Sequence, residues 1–178
     1  MSIEIRTEEP MDYAKSNEVV YNAFKGATHS DGDEHNLVQR LRASSTFVPK
    51  LSLVAVLKNE IVGHIIFSKI IIVKKNNTPL ESLALAPVSV HPNYQKKKIG
   101  GALINRGHMI AKELGFKSVI LLGHPDYYPR FGYSRASKWG IQAPFDVPDE
   151  VFMAIELVSG ALDGASGVVQ YPSAFRIT

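Results

Sequence analysis

The sequence predicts a mixed α/β (α+β) domain, and three patterns carry that prediction. Apolar runs at 51–57, 61–73 and 83–90 are separated by the polar segments Lys58-Asn59-Glu60 and Lys74-Lys75-Asn76-Asn77-Thr78-Pro79, the layout of an antiparallel three-stranded meander. After the third run, Ile99, Leu103, Ile110 and Leu114 recur at helical spacing, and Ser118-Val119-Ile120-Leu121-Leu122 follows as a short continuous apolar strand. Strand, helix, strand over 83–122 is a βαβ crossover, which sets the last strand parallel to the first. Two helical patterns ahead of the meander supply flanking helices.

In chain order, Ile3 and Ile5 alternate with Glu4 in a short first strand. Thr7-Glu8-Glu9-Pro10 is a helix-start signal, so a helix is expected over 11–24 with Tyr13, Val20 and Phe24 inward and Gly26 at its end. The polar stretch His29-Ser30-Asp31-Gly32-Asp33-Glu34-His35 has oxygen ligands at alternating positions but lacks the glycine and distal glutamate of a calcium loop, and reads as a loop and helix cap. A second helix is expected over 33–43 with Leu37, Val38 and Leu41 inward. Gly107 falls on the apolar stripe of the third helix, where that helix can press close to the sheet, and Gly115 supplies its left-handed cap. Toward the C-terminus, 151–158 and 167–171 read as strands, and Trp139-Gly140-Ile141-Gln142-Ala143-Pro144-Phe145 as a connection long enough to fold over a pocket.

Composition bounds the function. With 178 residues, 45% of them hydrophobic, the chain can build one full core, and 1–178 is expected to form a single domain. No run approaches the roughly 18 apolar residues of a membrane span, so no membrane partner is expected. The absence of cysteine excludes acyl-cysteine chemistry, and the first residues lack an export signal, so the cytoplasm is the expected location. A net charge of +3 suits a polyanionic small molecule and is too small to argue for nucleic acid. Aromatic residues do not alternate with the lysines as a single-strand RNA platform would require.

The chemistry concentrates at 83–102. Leu83, Leu85, Val88 and Val90 form the apolar strand, and Pro87 interrupts it, so a bulge or splay is expected there. His91-Pro92-Asn93 is a loop, after which Gln95, Lys96, Lys97, Lys98, Ile99, Gly100 and Gly101 lead into the third helix. Backbone N–H groups converging at a helix start, with three lysines beside them, make an anion site.

Gln95-Lys96-Lys97-Lys98-Ile99-Gly100 resembles the acetyl-CoA loop of the GNAT N-acetyltransferase superfamily, Arg/Gln-x-x-Gly-x-Gly/Ala, with Lys98 where that family has glycine. If the position needs a positive φ, lysine there carries strain of about 1 kcal/mol or more. A second stretch, Tyr128-Pro129-Arg130-Phe131-Gly132-Tyr133, fits the family's Tyr-x-x-x-Gly-Phe, and 125–132 looks like one bacterial branch of predicted acetyltransferases. The resemblance implies a sheet of about six to seven strands whose last two lie beside the fifth, with acetyl-CoA as co-substrate and no metal. It implies cofactor contacts at 95–101 and a pantetheine arm paired with the backbone of Val88, Ser89 and Val90. The acceptor, a small-molecule amine or a protein amino group, would attack the thioester directly. His29, Asp31 and Glu34 would border the acceptor pocket.

Acyl transfer needs an oxyanion donor and a proton for the leaving thiolate. Pro87 has no N–H, so the donor is expected at Val88 or a neighbour. Tyr128 is the candidate acid, because a phenol and a thiolate have similar basicity, with Tyr127 as its competitor. Glu81, His124 and Asp126 are candidate bases with no feature that singles one out. Two other functions are compatible with the sequence: an acyl-CoA sensor that binds without turnover, and RNA binding through the lysine run. A homodimer through an exposed terminal strand also stays open.

Overall fold

The computed structural model describes residues 2–28 and 30–177. Nine strands share one sheet. The first, β1 (Glu4–Thr7), precedes helices α1 (Tyr13–Phe24) and α2 (Glu34–Arg42), followed by β2 (Phe47–Leu57), β3 (Glu60–Lys74) and β4 (Pro79–Val90). Helix α3 (Ile99–Glu113) leads to β5 (Ser118–Leu122), and β6 (Ser134–Arg135), β7 (Ile141–Gln142), β8 (Phe152–Glu156) and β9 (Gly167–Gln170) complete the chain. The order is β1-β2-β3-β4-β5-β8-β6, with β9 on β3 and β7 on β9. All neighbours are antiparallel except the β4–β5 and β7–β9 pairs.

The meander is as the sequence patterns require. Lys58 and Asn59 both hold positive φ, 49° and 66°, the twist of a tight hairpin turn between β2 and β3. On one face Leu53, Ile65, Phe67, Leu83 and Val119 pack against α3, whose buried side is Ile99, Leu103, Ile104, Gly107 and Ala111. Leu114, expected on that stripe, is 40% exposed, because the helix ends at Glu113 and the chain turns away at Gly115 with φ 94°. On the other face α1 packs over β3 and β4, with Val20, Val38, Leu41 and Ile66 as one cluster. The first expected helix is two elements, a 3-10 turn at Pro10–Asp12 and then α1.

Two expectations need correction. Only β8 of the last two long strands lies beside β5; β9 pairs with β3, Ile71 facing Gln170 and Lys74 facing Gly167. The reason is length: the pairing of β2 with β3 stops at Ser68, so the C-terminal half of β3 has an open edge that β9 fills. The connection at 139–145 does not fold over the main cavity. Trp139, Ile141 and Ala143 instead pack with Ile70, Ile120 and Phe152 on the opposite sheet face, where apolar side chains needed cover. The strand count exceeds six to seven because β6 and β7 are two-residue strands.

Candidate active site

The site grows from the interruption at Pro87. In the β3–β4 ladder Ile65 faces Val88 and Phe67 faces Leu85, so one residue of β3 spans two of β4, Ala86 and Pro87. The parallel pairing of β4 with β5 covers only Leu83 with Val119 and Ala84 with Ile120, while β4 continues to Val90. Its last turn of strand is thus unpaired on the β5 side. A cavity of about 840 Å³ occupies this side, with Val88 and Val90 on one wall and the start of α3 on the other.

The helix start is built to receive an anion. The first intrahelical bond runs from the Ala102 N–H to the Lys98 carbonyl at 3.1 Å, which leaves the N–H groups of Ile99, Gly100 and Gly101 ahead of the ladder, and no side chain caps them. Lys98 sits at φ 65°, in the left-handed region, as does Lys96 at the same φ. The position does need a positive φ, and lysine carries the strain of it. Gly100 and Gly101 have a use beyond ligand approach: a Cβ on Gly100 would lie 3.4 Å from the Tyr127 hydroxyl, and one on Gly101 would lie 3.3 Å from the Phe131 ring.

Eight of the ten residues anticipated for the cofactor, Val88, Val90, Gln95, Lys96, Lys98, Ile99, Gly100 and Gly101, line this cavity. Ser89 does not, because alternation turns its side chain to the opposite face, where it is buried. Lys97 does not line it either; its ammonium lies 5.5 Å from the centre of the Tyr94 ring. Gln95 donates through Nε2 to the Val90 carbonyl at 3.1 Å and so ties the loop to the strand end. The wall also includes Tyr94, Asn105, Tyr127, Arg130 and Phe131, which sequence reasoning missed as lining residues. The spacing of Gly101 and Asn105, one helical turn apart, was the available signal for Asn105.

The adjacent tyrosines take different positions. Tyr127 lines the cavity with the Arg130 guanidinium 4.7 Å over its ring; burial raises its hydroxyl pKa and Arg130 opposes the shift. Tyr128 lies behind it in edge contact, ring centres 5.0 Å apart, against the backbone of Gly123, where a Cβ would collide with the Tyr128 ring. Burial, followed by the neighbouring Tyr127, pushes Tyr128 up to about 12. Its hydroxyl makes no hydrogen bond among the described residues.

The candidate bases are not gathered here. Glu81 lies beside a separate small cavity at the other end of β4, with Phe116 and Ser118. His124 Nδ1 and Asp126 Oδ2 are 3.9 Å apart on the surface, both side chains exposed. Asp31 accepts from the Asp33 N–H at 2.9 Å and Glu34 from the Ser30 hydroxyl at 2.6 Å, so both shape the turn into α2. His29 lies outside the described residues. Among the described residues no group of three or more His, Asp or Glu side chains converges as a metal site would, and no helix is long and apolar enough to cross a membrane.

A parted parallel strand pair opening onto an uncapped helix start defines a nucleotide-cofactor-binding α/β protein. The profile of the acetyltransferase (GNAT) domain matches residues 49–135. A GNAT family acetyltransferase from Brucella melitensis, crystallised in complex with acetyl-CoA, is 32% identical, with 98% of each chain covered and a TM-score of 0.80. The chain belongs to the GNAT acetyltransferase family. The Escherichia coli protein YhbS, an uncharacterized N-acetyltransferase, is 27% identical over 173 residues, 97% of this chain and 98% of that protein. Its crystal structure in complex with CoA matches 98% of this chain and 92% of its own with a TM-score of 0.87. A third relative, the uncharacterized N-acetyltransferase YjhQ of Escherichia coli, is 37% identical over 118 residues, a stretch covering 66% of this chain and 65% of that protein's length.

Proposed function

We propose that the protein is an acetyl-CoA-dependent N-acetyltransferase in which the acceptor amine attacks the thioester directly. The observation that carries the reading is the single cavity of about 840 Å³ that joins the anion-binding start of α3 to the unpaired end of β4. A CoA diphosphate at one end and a thioester at the other need that combination. The family, and relatives crystallised with CoA and with acetyl-CoA, support the same reading. The acceptor class is a small-molecule amine or a protein amino group, and the proposal includes a single domain in the cytoplasm.

The residues present fit the co-substrate. The N–H groups of Ile99, Gly100 and Gly101 hold the diphosphate, with Lys96 and Lys98 supplying charge and Lys97 acting at longer range. The backbone of Val88, Ser89 and Val90 pairs with the pantetheine arm as a strand would, and an N–H beside Pro87 meets the thioester oxygen. Losing such a donor costs about 3 kcal/mol of activation free energy. Tyr128 is the proposed proton donor to the leaving sulfur, acting from behind Tyr127, which is the tyrosine that lines the cavity. Burial pushes the Tyr128 hydroxyl up to about 12, so it stays protonated through the working pH range.

Titration calorimetry with acetyl-CoA, paired with turnover of an amine panel, tests the reading. Binding with turnover is expected; binding without turnover would make the protein a sensor, and no binding ends the proposal. Tyr128→Phe is expected to bind acetyl-CoA unchanged and to turn over at least about tenfold more slowly. If Tyr127→Phe carries that loss instead, the acid is the cavity-lining tyrosine.

A further inference from the structure

One arginine at the cavity differs from those elsewhere in the chain. Arg6, Arg40, Arg42 and Arg135 each donate to a carboxylate, of Asp12, Asp33, Glu8 and Asp149 in turn. Arg130 has no carboxylate partner among the described residues. The acid nearest to it in sequence, Asp126, offers only its backbone carbonyl, 3.4 Å from Arg130 Nη2, while the Asp126 carboxylate lies 3.9 Å from His124 Nδ1. Arg106 and Arg176 also make no ion pair among the described residues, but neither lines the cavity and Arg130 does.

Arg130 is held in place all the same. Its Nε donates to the Tyr127 carbonyl at 3.0 Å, and its Cζ lies 4.7 Å from the centre of the Tyr127 ring. These contacts fix one side of the guanidinium and leave Nη1 without a partner among the described residues. Arginine carries its N–H donors in a rigid planar fork, so a few contacts orient all of them. A cation ordered by a carbonyl and a ring, exposed at its outer edge and free of any counter-ion, is preorganised to receive an anion.

The turn that carries Arg130 is packed onto the start of α3. A Cβ on Gly100 would lie 3.4 Å from the Tyr127 hydroxyl, and one on Gly101 would lie 3.3 Å from the Phe131 ring. Arg130 therefore stands one aromatic ring away from the N–H groups that seat the diphosphate, and it reaches the cavity from the turn after β5, whereas Lys96 and Lys98 reach it from the loop before α3. The charged residues of the lining are these three cations, with no acid among them. The helix start and the two lysines already answer the charge of a diphosphate. CoA carries one phosphate more, a monoester on the 3′-hydroxyl of its ribose, with a charge approaching two at neutral pH. The pantetheine half leaves the diphosphate inward, toward Val88 and Val90, so the ribose half leaves outward, toward the rim where Arg130 is exposed.

We propose that Arg130, braced by Tyr127, is the subsite for the ribose 3′-phosphomonoester of the acetyl donor and makes the protein select CoA thioesters over donors without that group. The inference rests on the acetyl-transfer reading. A guanidinium fork and a terminal phosphate match in shape, since two N–H groups meet two terminal oxygens at once, a pairing that a lysine does not reproduce. The selection has a consequence for the donor class. A thioester borne on the phosphopantetheine of a carrier protein has the same arm and one phosphate, but no ribose phosphate for Arg130 to hold. The donor this wall fits is the free nucleotide thioester.

Titration calorimetry with CoA and with 3′-dephospho-CoA, on the wild-type protein and on Arg130→Ala, decides the matter. Wild type is expected to bind CoA about tenfold more tightly than 3′-dephospho-CoA. Arg130→Ala is expected to lose that preference by weakening toward CoA alone. A wild type without preference overturns the subsite, and so does a preference that survives Arg130→Ala, which would assign the monoester to other residues. Equal weakening toward both ligands overturns it as well, because Arg130 would then serve the diphosphate or only brace the turn. Should Arg130→Ala fail to fold, Arg130→Gln, whose amide can still donate to the Tyr127 carbonyl, carries the same expectations. The two levels separate in the wild-type protein: binding neither ligand sinks the acetyl-transfer reading and the subsite with it, whereas binding both equally sinks only the subsite.

Discussion

Gly107 fixes how closely α3 lies on the sheet. A Cβ there would collide with the ring of Phe67, which is fully buried and cannot yield. Alanine is favoured over glycine in a helix interior by about 1 kcal/mol, and overpacking a core costs about 1–3 kcal/mol, so the two effects oppose each other. With Phe67 enclosed by the cluster of Leu53, Ile65 and Leu83, overpacking wins. Gly107→Ala is expected to unfold at lower urea concentration, with a loss of about 2 kcal/mol; a variant more stable than wild type would show that the helix can shift. This position was legible in the sequence because it lies on one periodic stripe with Leu103 and Ile110. The buried cluster in which Glu8 Oε2 accepts from Arg42 Nη2 at 2.8 Å and lies 3.2 Å from His64 Nε2 was not. Its members come from three elements, Arg42 standing 34 residues from Glu8, and nothing local in the sequence marks them as neighbours. The tyrosine pair shows a third case: residues 127 and 128 were both visible, but only the 3-10 turn at Tyr128–Phe131 decides which ring meets the cavity.

The junction of β4, the lysine loop and α3 was the most readable element, since each of its devices is local. Pro87 cannot complete a ladder and glycines open a helix start, so the bulge and the anion seat follow from residue type alone. The placement of β9 was unreadable for the opposite reason, since it depends on the β2–β3 pairing ending before β3 does. The junction also yields a test that separates strain from charge. Lys98 holds φ 65° at the N-cap of α3, a conformation costing a side chain about 1–2 kcal/mol. Glycine removes that cost and returns part of it, about 0.5–1 kcal/mol, through the entropy of the unfolded chain. Lys98→Gly is therefore expected to raise stability by about 0.5–1 kcal/mol in thermal denaturation. Lys98→Ala keeps the strain and is expected to gain nothing. Both variants lose the same charge, so both should bind acetyl-CoA more weakly, with a shallower salt dependence than wild type. Equal stability of the two variants would mean that the loop relaxes out of the left-handed region.

At the scale of the whole molecule, α3 is tied to the chain beyond β5 by a partly buried polar contact. His108 Nε2 on α3 lies 2.8 Å from the hydroxyl of Tyr133, which follows the Tyr128–Phe131 turn and leads into β6. Phe67 of β3 packs edge-on to the same imidazole. Burial pushes His108 down from 6.5 to about 4, so the ring is neutral in the folded protein where the unfolded chain would already be charged. Between those two values the unfolded state binds the extra proton, and stability falls as pH falls. From about pH 7 to about pH 5 the linkage amounts to about 2 kcal/mol. The buried carboxylate of Glu8 works in the same direction, since its pKa is also lowered, but its contribution is lost only below the ordinary carboxylate range. The window above about pH 5 therefore belongs to His108. Urea midpoints across that window should drop for wild type and stay nearly level for His108→Gln, which keeps a polar group near Tyr133 without a titrating ring. A variant that loses stability as steeply as wild type would place the acid-sensitive group elsewhere. Acetyl-CoA, which binds the folded protein, is expected to shift the acid midpoint to lower pH, by an amount that grows with the logarithm of one plus its concentration over its Kd.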